Sequence, residues 1–292
     1  MRILFLGGDQ RQLSILNELY TRHSIDVVGY KLIELDDNIK KINIENLDIS
    51  LYDVIIFPVN GVQDNYLLKT PFDDEQIHLD LSLLSASKPN ALIFTGIRTK
   101  WLDDILKTSN KECIALMEDN DVKKENSIPT VEGIIGDLVY NTPSTINQAN
   151  ILVLGYGNIG KLLVEKLRAL DANVAVGVML ENDFEYLKKQ DINTFYTNDH
   201  QLFSDAIKQS QIIINTVPSL MLNKDFLDLV GENAYILDIA SAPHGVDKDY
   251  ADEKCLNHKL SLGIPALVAP KTAGLILYKK INKMIGGEKW KK

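Results

Sequence analysis

The stretch ILVLGYGNIGKLLVEKL, residues 151–167, joins an apolar run, a glycine-rich turn and an amphipathic segment. Gly155, Gly157 and Gly160 form the pattern G-x-G-x-x-G, and a second strand-like run follows within a unit of roughly 30 residues. In such a turn the first glycine permits the bend, the second admits a pyrophosphate, and the third lets helix and strand pack closely. The first helical turn, with Asn158 and Ile159, presents backbone N–H groups to the phosphates. We therefore predict that this turn binds a dinucleotide.

A second turn of this kind, GGDQRQ at residues 7–12, follows the strand-like residues 2–6 but has no third glycine. Arg11 lies in the first turn of a helix predicted over residues 10–21. A cation there opposes the helix dipole, so it requires either solvent or an anion. We predict that Arg11 contacts a carboxylate or phosphate, and the alternative is a solvated surface arginine. The second half of the chain would then bind the dinucleotide, and the first half a small substrate in a cleft between the two.

Apolar strands alternate with amphipathic segments along the whole chain, which is the pattern of parallel sheets covered by helices. The predicted class is α/β, with two doubly wound Rossmann-like domains that contain parallel sheets. A helix is also predicted at residues 101–109. Strands are predicted at residues 2–6, 26–29, 54–58, 91–95, 113–116, 150–154, 173–177, 212–216, 235–239 and 262–265.

The domain boundary is predicted at NSIPTVEG, residues 126–133. Pro129 suits the first turn of a helix, so a connecting helix is expected over residues 129–141. We predict a substrate-side domain of residues 1–128 plus a C-terminal helix 270–292. Residues 129–269 would form the dinucleotide-binding domain.

The composition is that of a globular protein, with 45% hydrophobic and 24% charged residues among 292. The formal charge of −9 argues against nucleic-acid binding. The sequence predicts neither a signal peptide nor a membrane span, so a cytoplasmic location is expected. Cys113 and Cys255 suggest neither a disulfide framework nor a metal site. We expect the short basic tail, residues 286–292, to be solvated.

Further candidate ligands follow later strands of the second half. Because open α/β sheets bind ligands at the carboxyl ends of their strands, the segments TVPS and ASAP are predicted to contact the dinucleotide. The alternative is that they are ordinary strand ends. After strand 173–177 neither an acid nor an arginine is placed to choose between NAD and NADP. The contacting residues would be Met179, Thr216, Val217, Pro218, Ala240 and Ser241.

Several segments in combination resemble the A subunit of dipicolinate synthase over essentially the whole chain. They are GGDQRQ (7–12), LMEDNDV (116–122), NSIPTVEG (126–133), VLGYGNIGK (153–161), INTVPSLML (214–222), LDIASAPHGVD (237–247) and VAPKTAG (268–274). The resemblance implies NAD(P)-linked oxidation of a dihydrodipicolinate to dipicolinate, pyridine-2,6-dicarboxylate, a product of sporulating cells. It also implies a flavoprotein-like second subunit. The implied fold is similar to that of D-2-hydroxyacid dehydrogenases, with two Rossmann-like domains joined by crossing helices, and a homo-oligomer is expected.

The implied substrate carries two carboxylates, which require cationic or N–H partners. Glu132 and Lys271 are the candidate catalytic residues, with Glu132 as the base. The alternative for Glu132 is a helix-capping residue. The candidate substrate-binding residues are Arg11, Arg98, Asn126, Ser127 and Thr130.

Two other functions stay open at this point. Met179, Ala242, His244 and Ala266 differ from residues common in the family, which suggests a dehydrogenase of another 2-hydroxy or 2-amino acid. No catalytic histidine is evident, which suggests a non-catalytic dinucleotide-binding subunit of a complex. A surface position is the simpler interpretation of His244.

Overall fold

Two six-stranded parallel sheets organise the chain, and the computed structural model describes them within residues 1–286. The chain divides into two compact units. Unit 1 contains Met1–Asn126 and the chain from Pro265 onward, and unit 2 contains Ser127–Ile264. The limits expected for the substrate-side and dinucleotide-binding domains, residues 128 and 269, remain predictions. The predicted solvated tail and the end of the predicted helix 270–292 lie outside the described residues.

Unit 1 has eight strands, of which six form the parallel sheet in the order β3-β2-β1-β4-β7-β8, while β5 and β6 form a small antiparallel hairpin. The strands are β1 (Arg2–Leu6), β2 (Ser24–Val28), β3 (Ile39–Lys41), β4 (Val54–Ile56), β5 (Leu67–Leu68), β6 (Ile77–His78), β7 (Leu92–Thr95) and β8 (Ile114–Ala115). The helices are α1 (Gln10–Leu19), α2 (Lys100–Thr108) and the first part of α3 (Asn120–Asn141). Short 3₁₀ turns occur at Ile44–Asn46, Ile49–Leu51, Asp64–Tyr66 and Leu116–Glu118.

Unit 2 has a sheet of the order β11-β10-β9-β12-β13-β14, in which every neighbouring pair is parallel. The strands are β9 (Asn150–Leu154), β10 (Asn173–Val178), β11 (Asn193–Tyr196), β12 (Ile212–Asn215), β13 (Tyr235–Asp238) and β14 (Asn257–Leu260). The helices of this half are the remainder of α3, α4 (Asn158–Ala169), α5 (Glu181–Lys189), α6 (His200–Gln209), α7 (Lys224–Leu227) and α8 (Lys248–Glu253). The chain returns to unit 1 within α9 (Ile264–Val268), which begins at the last residue of unit 2, and continues through α10 (Pro270–Ile285).

The central strand of each sheet is buried on both faces. In β1, Ile3 and Phe5 pack into one apolar cluster of unit 1, and Leu4 and Leu6 pack into another. Strand β9 of unit 2 divides its side chains between two clusters in the same way. Successive side chains of a strand point to opposite faces, so a continuous apolar run requires cover on both sides. This arrangement, with the strand order 3-2-1-4-5-6 in both units, confirms the predicted doubly wound class.

Edge strands are where the sequence prediction fails. A strand was expected at 262–265, but these residues hold a left-handed Gly263 and the start of α9. The last strand is instead β14, whose residues are mostly exposed. Strands β3 and β11 were also missed. An edge strand needs little apolar sequence, because only part of it is covered by the neighbouring elements.

The connecting helix predicted over 129–141 begins nine residues earlier, at Asn120, so its predicted start is wrong. Asp119 caps it, with its Oδ1 accepting the N–H groups of Asp121 at 3.0 Å and Val122 at 3.1 Å. Pro129 is therefore an interior residue and not a first-turn residue. An interior proline removes one backbone hydrogen bond, which a well-capped 22-residue helix tolerates here.

A buried pair fixes the carboxyl ends of β12 and β13 in unit 2. Asn215 and Asp238 are 0% and 3% exposed, and the Asn215 amide donates to Asp238 Oδ1 at 2.8 Å. The same carboxylate accepts the N–H groups of Ala240 at 3.1 Å and Gly245 at 2.8 Å. Asn215 also holds Val217 through both its amide nitrogen and its oxygen. The loops after two strands are thus attached to one carboxylate.

Asp238→Asn tests this attachment. One carboxylate oxygen becomes an NH₂ group that faces a buried donor, so we expect the free energy of unfolding to fall by about 1–3 kcal/mol. The two units need not unfold in one step, so the change in stability is measured locally. Hydrogen exchange of the backbone amides of residues 238–245 gives this local measurement. The control Asp249→Asn changes an exposed acid of α8 and should alter stability by less than about 0.5 kcal/mol. Equal hydrogen-exchange protection of these amides in Asp238→Asn and Asp249→Asn would contradict the role given to Asp238.

Candidate functional site

The carboxyl edge of the unit 2 sheet collects all the residues predicted to bind the dinucleotide. Because β9, β10, β12 and β13 are parallel, the loops that follow them lie at the same edge. The glycine turn follows β9, and the segments after β10, β12 and β13 contain the remaining candidates. These residues are Gly155, Gly157, Asn158, Ile159, Gly160, Met179, Thr216, Val217, Pro218, Ala240 and Ser241. Their roles as ligands stay a prediction.

The three glycines of the turn meet different surroundings. Gly155 has a φ of +95°, and a Cβ there would lie 2.5 Å from Thr216 Oγ1. A Cβ at Gly160 would lie 2.3 Å from the Gly155 carbonyl oxygen, so helix α4 needs glycine to approach the strand. A Cβ at Gly157 would meet nothing within 4 Å. The first and third glycines are required by the fold, whereas the second faces open space.

The start of α4 leaves backbone donors unused. Gly157 is the N-cap residue and supplies no side-chain cap, and the first bond back to the turn is from Lys161 N–H to the Gly157 carbonyl at 2.9 Å. The N–H groups of residues 157–160 have no acceptor within residues 1–286. No acidic residue stands in the first turn of α4. Unused N–H groups at a helix N-terminus that faces open space form an arrangement suited to a phosphate.

The segment after β10 contains no charged residue at the strand end. Met179 directly follows the strand and is 72% exposed. Acidic residues come later, in the first turn of α5, where Asp183 lies 3.4 Å from the ammonium of Lys161. Lys161 also lies over the ring of Tyr156, 5.4 Å from its centroid. The Lys161 ammonium therefore already has the Asp183 carboxylate as a neighbour.

The first glycine turn, in unit 1, has its donors satisfied by the protein. Gly7 N–H donates to Val28 O at 2.8 Å and Gly8 N–H to Lys69 O at 3.3 Å. Lys69 follows strand β5 of the hairpin, and a Cβ at Gly7 would lie 2.8 Å from the Leu68 side chain. The hairpin thus lies over this turn. The space that a pyrophosphate would need beside Gly7 is filled by protein.

A capping box adds to the difference between the turns. Asp9 caps α1, accepting the Arg11 N–H at 2.9 Å, while the Gln12 side chain accepts the Asp9 N–H at 2.9 Å. A carboxylate at the N-terminus of α1 repels a phosphate. The unit 1 turn is therefore unsuited to a dinucleotide, whereas the unit 2 turn has room and unused donors.

Arg11 is buried and paired rather than solvated. It is 6% exposed, and its guanidinium forms a two-point pair with Asp9, with Nε to Oδ1 at 3.0 Å and Nη2 to Oδ2 at 2.6 Å. Nη2 also donates to Asn60 Oδ1 at 3.0 Å. The anion that the sequence requires beside Arg11 is thus present within the protein. A direct contact between Arg11 and a substrate carboxylate stays a prediction.

The other predicted polar residues of unit 1 have different environments. Arg98 pairs with Asp103 at 2.7 Å, and this pairing raises the pKa of the guanidinium. Lys271 is exposed in the first turn of α10 and forms no ion pair with any residue that the structure describes. Three residues later, Gly274 packs against α1, and a Cβ there would lie 2.4 Å from the Arg11 carbonyl oxygen. Lys271 and Lys69 are thus both exposed cations of unit 1 without an ion pair among the described residues.

Four predicted residues lie on helix α3. Asn126, at the end of the first stretch of unit 1, is partly buried, and Ser127 and Thr130 are 4% and 7% exposed. Glu132 is exposed. Because α3 starts at Asn120, Glu132 is well past the first turn, and the alternative that it caps the helix is wrong.

The two cysteines differ in exposure, since Cys113 is partly buried and Cys255 is exposed. Burial raises the pKa of the Cys113 thiol to about 11, so it is protonated and weakly nucleophilic at neutral pH. Among residues 1–286 no three His, Cys, Asp or Glu side chains are grouped to hold a metal ion. Within the same range, no helix has the length and apolar character needed to span a membrane.

Sequence reasoning missed three polar residues that organise these edges. Asn215 and Asp238 end apolar strands and resemble ordinary strand termini, although a polar residue after three apolar ones is the available signal. Asn60 lies in FPVNGVQ, outside any motif. Its asparagine–glycine pair predicts a tight turn and nothing about a ligand.

Comparison with solved structures supports the fold expected from the resemblance. A putative D-isomer specific 2-hydroxyacid dehydrogenase from Polaromonas sp. JS6 66 matches with a TM-score of 0.54. The match covers 98% of this chain and 96% of that chain at 11% identity, so it concerns the fold alone. The predicted likeness to this class of dehydrogenase fold is confirmed.

Closer relatives decide the family. The family described as the N-terminal domain of the dipicolinate synthase A subunit matches residues 2–117. The dipicolinate synthase A subunit of Bacillus subtilis (strain 168) is 33% identical over 288 residues, which are 98% of this chain and 96% of that protein. The crystal structure of the dipicolinate synthase A subunit from Bacillus halodurans matches with a TM-score of 0.93 and 30% identity, over 98% of both chains. The chain therefore belongs to the family of dipicolinate synthase A subunits.

Proposed function

We propose that this chain is an NAD(P)-dependent oxidoreductase that oxidises a dihydrodipicolinate to pyridine-2,6-dicarboxylate. The observation that carries the proposal is the unit 2 glycine turn, where unused N–H groups and an open Gly157 stand in a chain of this family. The reaction removes a hydride and one proton from the dihydropyridine ring. Aromatisation favours the product, so the protein has mainly to bind and orient the reactants.

Unit 2 would hold the dinucleotide. The N–H groups of residues 157–160 would donate to the pyrophosphate, and the loops after β12 and β13 would line the remainder of the site. When bound, the nicotinamide supplies the hydride acceptor. The Asn215–Asp238 pair supports this role because it fixes the loops that contain Val217 and Ala240. A rigid loop presents its groups without an ordering cost on binding.

Unit 1 would bind the dicarboxylate. Lys271 offers an ammonium without an ion pair among the described residues, and it lies one helical turn from the Gly274 contact with Arg11. We propose that Lys271 stabilises one carboxylate through a charge-assisted hydrogen bond. Arg98, with its Asp103 partner, is proposed to act at the rim of the same region. Asn126, the last residue of the first stretch of unit 1, is proposed as a neutral donor to the substrate. Ser127 and Thr130, the other predicted donors, belong to unit 2, and their contact with a substrate stays a prediction.

The proton lost from the ring requires an acceptor. Glu132 is exposed on α3 and is proposed as the general base. A carboxylate at the surface of a helix can accept a proton and pass it to solvent. The family name designates one lettered component of a synthase, which supports a second subunit as partner. We propose that this second subunit is flavoprotein-like. We also propose a homo-oligomer.

Turnover of dihydrodipicolinate tests the proposed reaction. The chain is mixed with the substrate and NAD or NADP, with and without the second subunit, and reduced nicotinamide and pyridine-2,6-dicarboxylate are quantified. We expect equal amounts of both products. If neither forms in any mixture, the function proposed here is wrong. Reduction of the nicotinamide by a 2-hydroxy or 2-amino acid alone would favour another dehydrogenase, and binding without turnover would favour a non-catalytic subunit.

Gly157→Val should abolish dinucleotide binding while the fold is kept. The Cβ of residue 157 meets nothing within 4 Å and its φ is −78°, so the protein accommodates the side chain. The added methyl groups would instead fill the space proposed for the pyrophosphate. Titration of NADH and NADPH, followed by their fluorescence, measures the loss.

The matched control is Gly231→Val. A Cβ at Gly231 also meets nothing within 4 Å, and this residue precedes β13 at the opposite edge of the sheet. It should bind both dinucleotides as the unaltered chain does. Tight NADH binding by Gly157→Val would place the dinucleotide elsewhere.

Discrimination between NAD and NADP should be weak. Met179 occupies the position after β10, where a carboxylate would hold a ribose hydroxyl and an arginine would hold a 2′-phosphate. We expect dissociation constants for NADH and NADPH that differ by less than about a hundredfold, or about 2.7 kcal/mol. Calorimetric titration of the unaltered chain measures both. A larger preference would reveal a charged contact from another segment.

A further inference from the structure

Asn60 presents a side chain to solvent from a tightly built loop after β4. The Gln63 amide donates to the Asn60 carbonyl oxygen at 2.7 Å, and Gly61 N–H donates to Pro58 O at 2.9 Å. Gly61 has a φ of +69°, and a Cβ there would lie 2.8 Å from Ile97 O, so the loop packs closely on the one after β7. The backbone at residue 60 is therefore fixed, although its side chain is exposed.

Arg11 determines which way the Asn60 amide faces. Its Nη2 donates to Asn60 Oδ1 at 3.0 Å. A guanidinium has donors only, so the amide oxygen must turn toward it. The two N–H groups on Nδ2 then face away from Arg11, and the side chain is exposed. Asn60 therefore presents two N–H donors of fixed direction at the surface.

Asp9 in turn holds Arg11. The carboxylate binds the guanidinium at two points and also caps α1. The Arg11 side chain is 7% exposed and that of Asp9 27%, so a ligand that displaced Asp9 would have to break a largely desolvated pair, which is costly. Asp9 therefore keeps Arg11 in the position from which it donates to Asn60.

The position in the sheet favours a ligand. Strand β1 has β2 on one side and β4 on the other, so the loops after β1 and β4 diverge at the topological switch point. Asp9 and Arg11 come from the first of these loops and helix α1, and Asn60 comes from the second. Gly274 of α10 packs on the Arg11 backbone, so this helix also lies beside the start of α1. An N–H donor at the carboxyl end of the sheet suits an oxygen ligand, and the dicarboxylate of the proposed function supplies one.

We propose that Asn60 Nδ2 donates a hydrogen bond to one carboxylate of the substrate, and that Arg11 and Asp9 are positioning residues that orient this amide. The assignment rests on the proposed function for its substrate class. It assigns to Asn60 the direct contact first predicted for Arg11. No covalent step is involved, so the residue acts on binding and orientation.

Asn60→Asp tests the donor. The variant keeps an oxygen for Arg11 and the shape of the side chain, but it replaces the outward N–H groups by a carboxylate oxygen. We expect the affinity for pyridine-2,6-dicarboxylate, measured by calorimetry in metal-free buffer, to fall at least about tenfold. The KM for dihydrodipicolinate should rise by a similar factor, while NADH binding and the thermal unfolding temperature stay unchanged.

The matched control is Asn17→Asp, which makes the same change on the exposed side of α1, where the amide has no partner among the described residues. It should leave the affinity for the dicarboxylate unchanged. An equal loss in both variants would mean that net charge, and not the Asn60 donor, weakens binding, and would overturn the proposal.

A double-mutant cycle tests the positioning role. Arg11→Lys keeps the charge but loses the planar fork, so it should weaken dicarboxylate binding in the unaltered chain. In an Asn60→Ala background the same change should have little further effect, because Arg11 acts through Asn60. Full additivity of the two losses would show that Arg11 contacts the ligand directly and would overturn the assignment.

The remaining outcomes separate the two proposals. Unaltered dicarboxylate affinity in Asn60→Asp, with clear binding by the unaltered chain, would overturn the role of Asn60 and leave the proposed reaction intact. If the unaltered chain neither binds pyridine-2,6-dicarboxylate nor turns over dihydrodipicolinate, the proposed function fails and this assignment fails with it.

Discussion

The contact between Asn215 and Asp238 is the constraint on which the ligand edge of unit 2 depends. One buried carboxylate accepts three N–H donors, from Asn215, Ala240 and Gly245. The N–H groups of Ala240 and Gly245 would lose this acceptor without it, and a Cβ at Gly245 would lie 2.0 Å from the Asn215 amide nitrogen. The loops after β12 and β13 are therefore linked through one carboxylate and pack closely on each other.

The two units show how one topology produces two different edges. Both sheets have the strand order 3-2-1-4-5-6, and both have a glycine turn after the first strand. In unit 1 the hairpin supplies Lys69 O as an acceptor and Asp9 caps the helix, so the donors of the turn are used. In unit 2 the N–H groups of residues 157–160 have neither a corresponding acceptor nor a side-chain cap within residues 127–264. The two turns therefore differ in which backbone N–H groups the protein itself satisfies.

The sequence predicts the buried part of the fold well because burial leaves a clear pattern. Strands β1 and β9 lie where their apolar runs predict them, and the residues predicted to bind the cofactor lie at one edge because parallel strands bring their ends together there. Edge strand β14 was missed because exposed residues carry no such pattern. The partners of Arg11 were missed for another reason. Asn60 comes from a distant loop, and only the folded chain brings the two together.

The burial of Arg11 has a consequence for the timing of desolvation. Removing water from a guanidinium and a carboxylate is costly, and in this chain that cost is incurred when unit 1 folds, since Arg11 is 6% exposed with Asp9 already bound. The guanidinium beside Asn60 is thus almost fully desolvated, whereas the Asp9 carboxylate keeps 27% of its side chain exposed. In the role proposed for Asn60, a ligand would meet a neutral amide whose direction is set and whose charged neighbours are already paired, so its binding would not repeat the cost of desolvating Arg11.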